Sequence, residues 1–443
     1  MIRRFIFISI AFVYSVISSA QTDYTMLPMK HIPQSSRVNP QFFPDYRSYA
    51  GIPVLSSIYF NAYSSSLSFS DLVNRNKSID FSSAMNRLND RNYFSTDMAI
   101  DWFSGGYKKG NHYFNFNVTE VLNVYISYPK ELLELMWYGN GSFLGQNVYL
   151  DGLAADFTHY REFSLGYSTQ YDKNWTFGIK VKYLNGKSIV QTEKNALFFY
   201  TDEDSYNTYI NGSYSTYTAG LFNDDGSSSQ YKLFGNKNHG VALDLGISYK
   251  LNKWKFDASI LDYGFINWRD NANVRYNDSI LVKYEGIKIG NVFNVENEVD
   301  SGIQSYTDTI NSTLEFDVLP RSFSSELVTS FVLGLEYELN KNIDLSAYYV
   351  HSKYREEFRP MVLVNGNYKL KNWLVFSLNY NLNGVNYTNV GLGLTFKVKF
   401  AQLYFVTNNI ASHFKPENSR NVNYRAGLNL IFNGREKKSL PVE

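Results

Sequence analysis

The stretch F-V-L-G-L-E-Y-E-L-N-K-N-I-D-L-S-A-Y-Y-V, Phe331 to Val350, alternates without a break on either side of a polar turn. Phe331, Leu333, Leu335, Tyr337 and Leu339 fall on one face, and Gly334, Glu336 and Glu338 on the other. After Asn340-Lys341-Asn342 the period resumes, with Ile343, Leu345, Ala347 and Tyr349 against Asp344, Ser346 and Tyr348. Period two on both arms of a short turn predicts an antiparallel hairpin with one greasy and one wet face. In a water-soluble sandwich the greasy face points inward. In a membrane barrel it points outward into lipid. The rest of the chain has to choose.

The pattern recurs. Phe163, Leu165, Tyr167 and Tyr171 alternate with Ser164, Gly166 and Ser168, then Asp172-Lys173-Asn174 turns into Trp175, Phe177, Ile179, Val181 and Tyr183. Val241 to Leu251 and Trp254 to Ile260 repeat it around Asn252-Lys253, and Val362 to Leu370 and Leu374 to Leu382 around Lys371-Asn372. Strands are expected near 52–64, 95–106, 111–126, 163–171, 175–184, 241–251, 254–262, 330–339, 343–351, 361–370, 373–382, 388–400, 402–411 and 422–432. That is an even number, about fourteen. Their connections sort by length. Tight turns fall on one side, and the long segments 65–94, 127–162, 185–240 and 263–329 on the other. Such sorting is the pattern of an outer-membrane barrel, whose periplasmic turns are short and outer loops long. Tyr171, Trp175, Tyr249, Trp254, Tyr337, Tyr368 and Trp373 flank the tight turns, where an interfacial aromatic girdle belongs.

Bulk properties agree. The chain has 443 residues, net charge +1, 37 Tyr, 33 Phe, 10 Pro and no cysteine. A balanced charge gives no basic groove for nucleic acid. Mean hydropathy is −0.31, and beyond the N-terminus no stretch reaches the ~18 apolar residues of a spanning helix. Arg3-Arg4, the apolar run Phe5–Ile17 and Ser18-Ser19-Ala20 read as a secretory signal cleaved before Gln21. With no cysteine after it, a lipid anchor is excluded. The sequence therefore predicts an all-β, transmembrane antiparallel β-barrel in the bacterial outer membrane. Residues 1–20 are the signal, 21–50 a plug or periplasmic segment, 51–433 the barrel and 434–443 a periplasmic tail. The greasy faces meet outer-membrane lipid.

Three kinds of segment bear on function. Residues 21–50 do not alternate and hold four of the 10 prolines, Pro28, Pro33, Pro40 and Pro44. They cannot be a central strand and are long enough to fold into the lumen, with Arg37, Asn39 and Pro40 as candidate plug residues. Pro129 to Gly141, P-K-E-L-L-E-L-M-W-Y-G-N-G, is the one well-signalled helix. Parity places it in an outer loop, where Leu132, Leu135, Met136 and Trp137 line a ligand groove or close the rim. A second short helix is expected within Asp71 to Asn92, in the first outer loop. The candidate lumen-facing charges are Lys180, Lys182, Asp244, Lys250, Asp257, Glu336, Glu338, Asp344, Lys397, Lys399 and Arg425. Their mixed signs point to salt-bridged packing rather than an ion filter. The acidic runs Tyr200–Asn207 and Phe222–Ser229 lack EF-hand spacing. The six histidines are scattered, and no H-E-x-x-H, G-x-S-x-G or P-loop occurs. No catalytic residue, metal or cofactor is expected, and the reading is not an enzyme.

R-V-N-P-Q-F-F-P-D-Y-R-S-Y-A-G-I-P, P-K-E-L-L-E-L-M-W-Y-G-N-G followed by H-Y-R-E-F-S-L-G-Y-S, and W-T-F-G-I-K-V-K-Y-L-N-G together resemble a Bacteroidota family of outer-membrane barrels of unknown function. The hairpin residues Gly178, Lys182, Tyr183, Leu184 and Gly186 also resemble PorV, a relative of the FadL fatty-acid transporters and part of the type IX secretion machinery. Asn39-Pro40 is similar to the N-P-A of PorP/SprF barrels, with Gln41 in place of Ala, and implies no function. The resemblance implies fourteen strands and a plug. It leaves two functions open: FadL-like passive transport of a hydrophobic small molecule, or a PorV-like structural or secretion-associated barrel that docks a protein partner.

Overall fold

The computed structural model describes residues 24–72, 84–221, 237–284, 316–354, 357–371, 373–382 and 389–433. The expected signal at 1–20 and tail at 434–443 lie outside them. The chain forms a closed antiparallel barrel of fourteen staves. The first stave is split into β1 (Ser48–Gly51) and β2 (Ile58–Ser64), both of which pair with β3 (Arg91–Lys109). Next come β4 (His112–Pro129), β6 (Ala154–Gln170), β7 (Trp175–Asn195), β10 (His239–Leu251) and β11 (Trp254–Trp268). The wall continues through β15 (Thr329–Asn340), β16 (Ile343–Tyr354), β17 (Glu357–Leu370), β18 (Leu374–Leu382), β19 (Asn389–Val398) and β20 (Ala401–Thr407). It closes where β21 (Asn421–Phe432) meets the split stave, Phe432 opposite Ser48 and Ala426 opposite Ile58. Closure pairs every stave on both sides, as a hydrocarbon surround demands.

The opening hairpin faces as a membrane barrel requires. Phe331, Leu333, Leu335, Leu339 and Leu345 are exposed, whereas Ser330, Glu336, Asp344 and Ser346 are buried. At the short-turn end, cross-strand pairs fix the girdle: Trp175 against Tyr249 and Trp254 against Tyr337, each with ring centroids 4.5 Å apart. Among the described residues no helix is long and apolar enough to cross a membrane.

Staves near the long loops outrun the predicted strands. β7 runs on to Asn195, and its outer part leaves β10 to pair with β9 (Thr208–Ala219). β9 carries β12 (Asn273–Tyr284) on one edge and β8 (Phe198–Thr201) on the other. β5 (Asn147–Tyr149) then pairs with β8. These outer ladders occupy the segments read as loops.

Two strand predictions need correction. The first stave was expected as one strand over 52–64. It is interrupted because Pro53 has no N–H for the ladder and Val54 takes φ +66°. The gap is bridged by Val54 N–H donating to Asp101 O (3.0 Å), beside a bulge in β3 between Asp101 and Phe103. The penultimate stave was expected to reach 411 but ends at Thr407. There the Asn423 side chain accepts from Asn408 N–H (2.7 Å), replacing the next ladder bond, and the chain leaves into a helical turn at Ala411–Phe414. Of the helix candidate at 71–92, a turn at Phe69–Leu72 overlaps its start, and 73–83 lie outside the described residues.

Candidate functional site

The lumen is filled from within. Residues 24–42 do not alternate because they span nothing. They make two short 3-10 turns, Tyr24–Met26 and Pro33–Arg37, and lie almost wholly buried against inward side chains. Tyr24, Met26, Leu27, Met29, Ile32 and Val38 form an apolar core with inward residues such as Val332, Tyr348, Leu363 and Tyr404. This part of the lumen is therefore packed like the core of a soluble protein.

The other contacts are polar and fix the path of the backbone. Gln34 and Asn429 exchange amide hydrogen bonds at 2.8 and 2.9 Å. Lys180 Nζ donates to Ser36 O (2.6 Å), Ser168 Oγ to Phe42 O (2.7 Å), Gln402 Nε2 to His31 O (2.7 Å) and Asn367 Nδ2 to Pro28 O (3.0 Å). Pro40 and Gln41 lie on Gly178 and Gly246, where any Cβ would collide with them. Arg37 Nη1 donates to Asp101 Oδ1 (2.5 Å) and Thr119 Oγ1 (2.7 Å). Lys30 pairs with Glu336. Burial and the nearby Lys369 and Lys30 hold the His31 pKa down at about 3.

Above this segment, toward the long loops, lies a cavity of about 840 Å³. Met26, Gln34, Arg37 and Val38 make its floor. One flank is apolar, with Ile189, Phe323 and Leu327; another is lined by Asp97, Asn123, Tyr125, Asp156, Thr158 and Gln191. Among the described residues no cluster of three or more His, Asp or Glu is placed to hold a metal.

The sequence matches, over residues 40–408, the profile of a family of unknown function, DUF5723. The chain belongs to that family. No curated protein matches it. Solved structures similar to this DUF5723 member include a Pseudomonas aeruginosa FadL homologue, at 10% identity and TM-score 0.46 over 95% of this chain and 99% of that one. The Ralstonia pickettii toluene transporter TbuX aligns at 10% identity and TM-score 0.46, over 91% of this chain and 95% of its own. The Pseudomonas putida toluene transporter TodX does so at 9% and 0.40, over 90% and 93%.

Within this DUF5723 barrel the eleven charges named from sequence divide by height. Lys180, Lys182, Asp244, Asp257, Glu336, Asp344 and Arg425 are buried in the interior. Lys182 Nζ bridges Asp244 (2.8 Å) and Asp262 (2.5 Å). Lys255, not singled out from sequence, joins Asp257 (2.8 Å) to Glu336 (3.6 Å). Asp344 accepts from Asn367 (2.7 Å), and Arg425 donates to Ser57 Oγ (2.5 Å) and lies over the Tyr59 ring. Lys250, Glu338, Lys397 and Lys399 sit instead at the short-turn rim, where the inward face runs past the packed lumen. Lys250 meets Glu338 there at 3.3 Å with both half exposed, Lys397 Nζ reaches Asn433 (3.5 Å), and Lys399 is in the turn at φ +54°. Of the plug candidates, Arg37 makes the ion pair, Asn39 is buried, and Pro40 supplies the carbonyl over Gly178.

The mouth helix runs Lys130–Tyr138. Leu132 and Leu135 pack on Val148, Leu150 and Phe199 of the outer ladders, while Met136, Trp137 and Tyr138 are exposed. Sequence reasoning missed the inward tyrosines and amides of β2, β3 and β4. Their parity was readable, but their register was not.

Proposed function

We propose that this barrel is a plugged outer-membrane channel for passive entry of a small molecule with a hydrophobic body, its plug being the part of the segment 21–50 that precedes the wall strand β1. Residues 1–20 are its export signal and 434–443 its periplasmic tail. One observation carries the reading: the cavity lies among the stave ends nearest the long loops, and Met26, Gln34, Arg37 and Val38 of the N-terminal segment line it from below. A ligand on the apolar flank near Ile189, Phe323 and Leu327 would lie directly on that floor. Passage then requires the segment to shift, which means parting its single hydrogen bonds to the wall, each worth ~1 kcal/mol net, together with the Arg37–Asp101 and Lys30–Glu336 ion pairs.

The absence of cysteine makes a clean test. Gln34→Cys and Asn429→Cys, bridged by a short cleavable bifunctional thiol reagent, tether the segment to β21. In proteoliposomes the unbridged protein should take up the apolar dye N-phenylnaphthylamine. Bridging should stop uptake and cleavage restore it. No uptake in either state, or uptake unchanged by the bridge, counts against the channel.

A second reading, a barrel that docks a protein partner, rests on the exposed Met136, Trp137 and Tyr138. It predicts crosslinks from that helix to another outer-membrane or secreted protein in cells, whatever the dye does.

A further inference from the structure

The strand register places two adjoining rows of hydrogen-bonding side chains on one wall of the cavity. In the outer row Tyr63 pairs with Ser95, Ser95 with Tyr125, Tyr125 with Asp156, and Asp156 with Gln191. One step further in, Asn61 pairs with Asp97, Asp97 with Asn123, and Asn123 with Thr158. Apart from Tyr63 and Asn61, every member of both rows lines the cavity.

Two features coincide on this wall. Tyr63, Tyr93 and Tyr125 stack in sequence, with centroids 5.6 and 5.5 Å apart and planes within 28°. Tyr63 and Tyr93 are buried, and Tyr125 is the end of the stack that reaches the cavity. Beside it, the Ser95 hydroxyl and the Asn123 carbonyl oxygen are buried with no hydrogen-bond partner. An orphaned buried polar group is costly and calls for an occupant.

We propose that this wall is a subsite for a neutral polyhydroxylated ligand, a saccharide ring. The rows contain two carboxylates, amides and hydroxyls, and the basic residues of the cavity, Arg37, Lys182, Arg321, Lys353 and Arg425, lie outside them, so the rows suit hydroxyl donors and acceptors and disfavour an anion seated on this wall. The electron-rich face of an aromatic ring accepts the C–H edge of a sugar. Placed beside the apolar flank, the subsite makes the preferred ligand a hydrophobic body carrying a sugar. This deepens the channel reading by naming the ligand class of the same cavity.

The full chain, held in an amine-oxide detergent to avoid sugar headgroups, is titrated with maltohexaose and with mannan-, chitin- and galactan-derived neutral oligosaccharides. At least one should bind. Tyr125→Ala and Asn123→Ala should each weaken it tenfold or more, while Tyr125→Phe keeps most of the affinity and sulfated counterparts bind less. Heat-modifiable gel mobility checks that each variant is folded; if Tyr125→Ala is not, Asn123→Ala and Tyr125→Phe still decide. No binding by any of the probes, or binding indifferent to both alanine changes, overturns the subsite. Binding without dye uptake keeps the subsite and sinks the channel. Dye uptake without glycan binding does the reverse.

Discussion

Gly178 and Gly246 face each other across the β7–β10 ladder, and the Pro40-Gln41 backbone rests on both. Neither has an unusual φ, so the requirement is for space. A Cβ at either position would stand inside contact distance of Pro40 or Gln41. Gly178→Ala therefore lifts the N-terminal segment rather than straining the strand. The expected cost is about 1–3 kcal/mol, with trypsin cutting after Lys30 or Arg37 in the folded variant and not in the parent. Gly366→Ala, where the nearest atom is Leu345 Cδ2 at 3.4 Å, should change neither. Equal protection of both variants would mean the segment is held elsewhere.

Arg37 and Asp101 tie the segment to the bulged part of β3. Asp101 is fully buried. Removing only its partner leaves a buried charge uncompensated, which costs about 3–5 kcal/mol. Arg37→Met should be destabilised on that scale in urea unfolding from micelles. Asp101→Asn added to Arg37→Met should recover a large part of the loss. Additive losses in the double variant would show that the two side chains do not act as a pair.

The barrel was legible because its period is two and its connections sort by length. Both signals survive without register, so all fourteen staves were found, and the aromatic residues beside the turns marked the membrane edge. The interior was less legible for a specific reason. A lumen was expected to be polar, yet Val332, Val350 and Leu363 point into it because the segment from Tyr24 to Val38 brings its own apolar face. Nothing local to β15 or β17 announces that partner. The cavity wall failed to appear for another reason. Tyr63, Tyr93 and Tyr125 are thirty or so residues apart in sequence, and only the register stacks them. Lys250 and Lys397 have inward parity at the ends of their strands, and alternation alone gives no height along the barrel.

His31 gives the segment a pH dependence. In the unfolded chain it takes up a proton near pH ~6.5; in the fold burial and two lysines delay this to about 3. Its Nε2 is buried without a hydrogen-bond partner, as suits the neutral ring. Between these values the unfolded state binds more protons, so stability falls as pH falls and levels off below the folded value. Unfolding free energies from urea titrations at pH ~7.5 and ~4.5 should differ more for the parent than for His31→Gln, by about 2–3 kcal/mol. The same difference in both proteins would assign the acid sensitivity to carboxylates alone.

Leu333 and Tyr337 lie on one outward face of β15, Leu333 within the apolar belt and Tyr337 in the aromatic edge against Trp254. Their depths differ by four residues along one strand, which separates lipid burial from any local packing effect. Arginine at the bilayer midplane costs about 2–4 kcal/mol, and near the interface about 0–1. Leu333→Arg should therefore lose several-fold more folding free energy into lipid vesicles than Tyr337→Arg. In a water-soluble sandwich an exposed Leu333 would accept arginine almost freely, since surface substitutions usually stay within ~0.5 kcal/mol. Equal, small costs at both sites would contradict the outward-facing greasy surface on which the whole reading of the hairpin depends.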